Sequence, residues 1–188
     1  GYSDIIVMRY PQMGSVSEFA KASRVPVVNG GDGPNEHPSQ ALLDLYTIKK
    51  ELLSNDRQID GMNIAMIGDL KHGRTVHSLS QLLQLYDNIT FTLISPLELK
   101  MPAEIVSELT AGGHKVIETE DMEAGLNDTD TIYLTRIQEE RFSTKLEANI
   151  YRGRFRLNQS IYTRYCQPNT VIMHPLPRDS REEANELD

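Results

Sequence analysis

A single cysteine, Cys166, serves all 188 residues, so no disulfide can close within the chain, which fits a reducing compartment. No apolar run approaches the roughly 20 residues that a membrane-spanning helix needs, and the first residues carry no secretory pattern. A cytoplasmic location without membrane partners is therefore expected. Basic charge is scarce too: 19 Lys and Arg stand against 27 Asp and Glu, a net charge of -8. That balance argues against nucleic acid as a partner, which a basic face would recognise. There is no internal repeat and no low-complexity segment. The glycine-rich Asn29-Gly30-Gly31-Asp32-Gly33-Pro34 lacks the Gly-Lys-Ser/Thr of a Walker loop and the Gly-x-Gly-x-x-Gly of a dinucleotide site.

What is present is the pattern of a soluble α/β protein. Short apolar runs predict strands over Ile5 to Met8, Pro26 to Asn29, Ile64 to Ile67, Thr90 to Ile94, Lys115 to Ile117, Thr131 to Leu134 and Val171 to Met173. Most are continuous rather than alternating, as in parallel strands buried on both faces. Helical spacing separates them: Leu42, Leu45, Ile48 and Leu52 after Pro38, then Val76, Leu79, Leu83 and Tyr86 after Gly73. Shorter helices are expected over Val16 to Lys21, Ala103 to Ala111 and Met122 to Leu126. The alternation predicts a doubly wound parallel sheet with helices on both faces. A boundary falls near the polar Ser54-Asn55-Asp56-Arg57-Gln58 stretch. Residues 1–53 then hold the tail of one α/β unit and a connecting helix, and residues 54–188 most of a second. The abrupt first strand and unfinished last residues suggest a fragment of a longer chain.

Polar peptides sit at the ends of these strands, where open α/β sheets bind ligands. Arg9 closes the first strand and can fork onto a phosphate or carboxylate. His37, before Pro38, can donate to a carbonyl oxygen, and Gln40 shares its side of the helix start. Arg74 opens a helix whose unpaired N–H groups attract anions. Arg136 and Gln138 alternate beyond Leu134, so both face one crevice if the strand continues, with Arg141 close behind. In His174-Pro175-Leu176-Pro177-Arg178 the prolines leave carbonyls that can accept from an amine. Taken singly, each has a plainer reading: a surface arginine at Arg9, a capping histidine at His37, a solvated loop from Glu139 to Arg141. Together the peptides from His37 onward predict four arginines (Arg74, Arg136, Arg141 and Arg178) and two histidines around one multiply anionic substrate, with Arg9 beside them. No metal is expected, because His72 and His77 are five apart and no third ligand is suitably spaced.

In order and spacing, these peptides resemble the aspartate carbamoyltransferase family. The likeness runs from Val7-Met8-Arg9 through Gly31-Asp32-Gly33, His37-Pro38-Ser39-Gln40, Gly68-Asp69-Leu70-Lys71-His72-Gly73-Arg74-Thr75 and Thr135-Arg136-Ile137-Gln138 to His174-Pro175-Leu176-Pro177-Arg178. It implies transfer of the carbamoyl group of carbamoyl phosphate to the amine of L-aspartate, an early step of pyrimidine synthesis, with no cofactor and a homotrimer of the full chain. By motif, Arg9, His37 and Gln40 are similar to the carbamoyl phosphate side, with Arg9 and His37 polarising the carbonyl. Arg74, Arg136 and Gln138 are similar to the grip on aspartate's carboxylates. Pro175 and Leu176 offer backbone carbonyls, the Leu176–Pro177 bond is expected to be cis, and Arg141 is similar to a domain-closure contact. Residues 1–53 would then be the end of a carbamoyl phosphate domain and 54–188 a truncated aspartate domain.

The sister family that uses ornithine carries a cysteine where this chain has Pro175, and its substrate offers a cation, so the arginines favour aspartate. The family's Ser-Thr-Arg-Thr phosphate loop, expected before Arg9, is not in the sequence, so the fragment alone is expected to be inactive. Tyr10 stands where histidine is frequent, and Asp179-Ser180-Arg181-Glu182 departs from the common continuation. A catalytically inactive carbamoyltransferase-like scaffold and a generic nucleotide-binding domain are the other readings.

Overall fold

The structure, a computed structural model, describes residues 2–139, 142, 144, 149–179, 181, 182 and 185–188. It contains two parallel sheets. The smaller pairs β1 (Ile6–Tyr10) with β2 (Val27–Asp32), linked by α1 (Ser15–Ala22). Helix α2 (Pro38–Ser54) then runs to the second sheet, with Pro38 in its first turn, where a missing N–H costs nothing.

The larger sheet holds β3 (Asn63–Ile67), β4 (Thr90–Ile94), β5 (Lys115–Thr119), β6 (Thr131–Leu134) and β7 (Val171–Met173). Its order is β5-β4-β3-β6-β7, with every neighbouring pair parallel. The connecting helices are α3 (Arg74–Leu83), α4 (Ala103–Ala111), α5 (Met122–Gly125) and α6 (Gln159–Tyr165). The chain winds outward from β3 to β5, then returns to lay β6 on β3's other side. The β3/β6 junction is thus the switch point, where the two connections leave in opposite directions and open a crevice beyond the strand ends.

Side-chain alternation divides the core. Ile64, Met66, Phe91, Leu93 and Tyr133 face Ile48 and Leu52 of α2, Val76 and Leu79 of α3, and Leu109 of α4. Ala65, Ile67, Ile94, Ile132 and Leu134 face the opposite way, toward Leu126, Phe155, Leu157 and the apolar side of α6. This is the expected parallel sheet covered on both faces.

Three expectations change. The first strand is not buried: Val7 is 71% exposed and Ile5 55%, because only one face of the two-stranded sheet is covered. In α2 the core-facing positions are Ala41, Asp44, Ile48 and Leu52, while Leu42 lies 60% exposed. An apolar count misplaces that face because Asp44, a carboxylate, occupies a core position. Helix α6 was not foreseen, since no residue of Gln159–Tyr165 is fully buried and its apolar stripe is weak. Its legible signal is Asn158, whose side chain accepts from the Ile161 N–H at 2.9 Å as an N-cap.

Candidate active site

A cleft of about 640 Å³ opens between the two sheets. Each unit contributes through its strand ends. From the first come Arg9 and Tyr10 at the end of β1, Gly33 after β2, and His37 and Gln40 at the start of α2. From the second come Arg74 and Thr75 at the start of α3, Thr135, Arg136 and Gln138 beyond β6, and His174 to Pro177 beyond β7. Arg9, His37, Gln40, Arg74, Arg136, Gln138, Pro175 and Leu176 all line this one space. Of the arginines expected here, Arg9, Arg74 and Arg136 line the cleft, whereas Arg178 is exposed and outside the lining. Arg141 lies outside the described residues.

The β3/β6 junction is built on close backbone approach. The Thr135 N–H donates to the Ile67 carbonyl at 2.8 Å, and the Gly68 N–H to Ile94 at 3.0 Å. Gly68 has φ of 116°, and a Cβ there would sit well inside contact distance of the Thr135 carbonyl. The strand does not continue: residues 135–138 are irregular, yet Arg136 and Gln138 still reach the cleft. Asp69, fully buried, supplies what a ladder would have given. Its carboxylate accepts from the Gln138 N–H at 3.3 Å and the His72 N–H at 3.0 Å, with His72 Nδ1 3.0 Å away. This network accounts for the Asp69–His72 contact. His77 is likewise engaged, with Nε2 2.7 Å from the Leu70 carbonyl. Among the described residues no cluster of three or more His, Cys, Asp or Glu is placed to hold a metal ion.

Arg74 bridges the units, donating from its guanidinium to the Gly33 carbonyl. Gly33 has a left-handed backbone, with φ of 56°, and a Cβ there would collide with the Pro11 carbonyl. His37 donates its backbone N–H to Ser78 Oγ at 3.0 Å, and the Ser39 hydroxyl lies 3.4 Å from its Nδ1. Its side chain makes no cap, so the capping reading fails. Burial, then the charges of Arg74 and Arg9, hold the His37 imidazole below the ordinary histidine value, favouring its neutral form.

The loop after β7 is braced from within. The Leu176 N–H donates to His174 Nδ1 at 2.9 Å, and His174 Nε2 stands 2.8 Å from Glu186. The Leu176–Pro177 bond is cis, as the resemblance implied. Burial pushes the Glu186 carboxyl up, but hydrogen bonds from His174 and the Asp179 N–H outweigh it, and the net shift is downward. Sequence reasoning passed over Asp69, Thr75, Thr135 and the bracing role of His174. Only the positions of Thr75 at a helix start and Thr135 at a strand end are legible in the sequence.

The arrangement is a cleft lined by Arg9, Arg74, Arg136 and the His174–Pro177 turn, suited to a substrate bearing several negative charges. Residues 60–187 match the family model described as aspartate/ornithine carbamoyltransferase, Asp/Orn binding domain, and residues 1–50 its carbamoyl-P binding domain. The chain is 68% identical over 188 residues to the aspartate carbamoyltransferase catalytic subunit of Cellvibrio japonicus and 66% to that of Saccharophagus degradans. It covers 100% of its own length and 56% of each of theirs, so it spans little more than half of the relatives it matches. The catalytic subunit of M. jannaschii aspartate transcarbamoylase superposes with a TM-score of 0.85 at 42% identity, over 100% of this chain and 57% of that one. The Trypanosoma cruzi enzyme, solved in complex with carbamoyl phosphate and aspartate, gives 0.85 at 34% identity, over 100% and 58%. The chain belongs to the aspartate/ornithine carbamoyltransferase family.

Proposed function

We propose that this chain forms the aspartate-binding half, and part of the carbamoyl phosphate half, of an aspartate carbamoyltransferase. The observation that carries the reading is the convergence of Arg9, His37 and Gln40 from one unit with Arg74, Arg136 and Gln138 from the other on a single cleft. The division of labour follows the division at residues 53 and 54: the first piece holds the carbamoyl donor, the second the amino acid.

In this reaction the aspartate amine attacks the carbamoyl carbon, a C–N bond forms, and the C–O bond to phosphate breaks. Negative charge grows on the carbonyl oxygen. Arg9 and His37 are donors set to meet it, and such preorganised donors lower a barrier more than flexible ones. The neutral His37 ring, favoured by burial and by the neighbouring arginines, keeps one ring N–H to donate to the carbonyl. Arg136 and Arg74, with Gln138, fix the two carboxylates, which aims the amine and removes much of the entropic cost of encounter. The amine proton passes to the departing phosphate, so no protein nucleophile is needed. The carbonyls of Pro175 and Leu176 and the Gln40 amide accept from the nitrogen-bound hydrogens. The product is N-carbamoyl-L-aspartate, an early pyrimidine precursor. The active form is a homotrimer of the full chain in the cytoplasm; no helix among the described residues is long and apolar enough to cross a membrane.

The test is turnover by the full-length parent, the chain extended to the length of its relatives. Carbamoyl phosphate and L-aspartate give carbamoyl aspartate and phosphate at equal rates, and L-ornithine gives no citrulline. Absence of turnover with aspartate, or comparable turnover with ornithine, refutes the reading. The isolated 188-residue chain is expected to be inactive, and robust turnover by it contradicts the division of the site.

A further inference from the structure

Beneath the cleft lies a buried carboxylate that the proposed chemistry does not use. Asp44 is 4% exposed on the core-facing side of α2. Both of its oxygens are engaged: Oδ1 accepts from Gln40 Nε2 at 3.0 Å, and Oδ2 accepts from the Tyr133 hydroxyl at 2.6 Å. Gln40 and Asp44 are one turn apart on α2, whereas Tyr133 is a fully buried residue of β6. The contact therefore crosses from the helix that carries the carbamoyl side to the strand that leads into Arg136 and Gln138.

A buried carboxylate is stable only where donors meet it. Two donors on Asp44 also dictate how those donors point. A glutamine amide can present either its oxygen or its nitrogen to a neighbour, and the two faces have opposite sense. With Nε2 held on Asp44, the oxygen is the atom Gln40 has left for the cleft. That choice matters because the side chains that line the cleft with Gln40 are rich in donors: Arg9, Arg74, Arg136 and His37. A carbamoyl NH2 entering such a space needs acceptors, and a reversed amide would add another donor instead.

We propose that Asp44 and Tyr133 are positioning residues for the carbamoyl donor, locking the Gln40 amide with its oxygen toward the cleft. Tyr133 keeps Asp44 in place from the opposite unit, so the lock also ties the donor side of the site to the strand bearing the aspartate grip. The inference rests on the carbamoyl-transfer reading for its substrate, but the lock itself is independent of it.

The experiment is a mutant cycle in the full-length parent: Tyr133→Phe and Asp44→Leu, each alone and combined with Gln40→Ala. Asp44→Leu lowers kcat/KM for carbamoyl phosphate at least tenfold and Tyr133→Phe at least threefold, while KM for aspartate stays within twofold. In the Gln40→Ala background neither change lowers kcat/KM further, because the group they position is gone. Equal losses in both backgrounds, or no loss in either single variant, overturn the proposal. Should Asp44→Leu fail to fold, Tyr133→Phe, which removes only a hydroxyl, completes the cycle. A second readout separates the lock from the function. The Gln40 side-chain amide protons of the wild-type parent exchange slowly by NMR and speed up in Tyr133→Phe. Fast exchange in the wild type refutes the lock even in a parent that transfers carbamoyl groups. A parent with no transfer but slow, Tyr133-dependent exchange refutes the functional reading and leaves the lock standing.

Discussion

Gly68 offers the sharpest stability prediction, because its cost can be separated into parts by a second glycine. Both Gly68 and Gly61 have positive φ, 116° and 76°. An added Cβ at Gly61 meets nothing within 4 Å, so Gly61→Ala measures the backbone cost alone. That cost is about 1–2 kcal/mol for a left-handed L-residue. With roughly 2–4 °C lost per kcal/mol in a chain of this size, Gly61→Ala lowers Tm by about 2–8 °C. At Gly68 the Cβ collides with the Thr135 backbone carbonyl, which cannot swing away as a side chain can. Overpacking of this kind adds about 1–3 kcal/mol. The total for Gly68→Ala, about 2–5 kcal/mol, is a large share of the 5–15 kcal/mol that usually separates folded from unfolded. Relief of the clash moves residues 135–138 outward, so KM for aspartate rises as well. Urea unfolding of wild type, Gly61→Ala and Gly68→Ala in the parent protein reads the first effect, and steady-state kinetics the second. A Gly68→Ala variant no less stable than Gly61→Ala, with unchanged aspartate KM, refutes the close-approach argument.

Helix register gives the next contrast: Ile48→Ala, at a fully buried site, costs about 2–5 kcal/mol, whereas Leu42→Ala costs under about 0.5 kcal/mol, as read by urea unfolding. Asn158→Ala removes the α6 cap and costs about 0.5–2 kcal/mol by the same measurement. The His37 imidazole titrates below 6.5 by NMR, and Arg74→Ala moves it back upward. Its contribution to stability has a fixed sign: a folded-state value below the unfolded one means the contribution is present above pH 6.5 and lost as pH falls through the folded value.

Strand existence was legible because buried parallel strands write continuous apolar runs, and all of the runs noted became strands. Position at strand ends and helix starts likewise points most of the cleft-lining residues to one place. What the residues hid was polar chemistry in the interior. Asp44 reads as a solvent-facing residue until Tyr133, 89 positions away, supplies its partner. The misplaced face of α2 follows from that one pair. Asp69 was hidden for the same reason, since its long-range partner is the backbone N–H of Gln138, and backbone donors leave no mark in a sequence. The exposed face of β1 was unreadable for another cause: apolar residues state a preference for burial, not whether a covering layer is present.

The central claim is that Arg136 grips a carboxylate of the amino-acid substrate. Steady-state kinetics of Arg136→Ala in the full-length parent tests it most directly. A charge-assisted hydrogen bond contributes about 1.5–3 kcal/mol, so KM for aspartate rises by roughly 10- to 150-fold. KM for carbamoyl phosphate stays within about threefold. An unchanged KM for aspartate, in a variant that folds as the wild type does, contradicts the account.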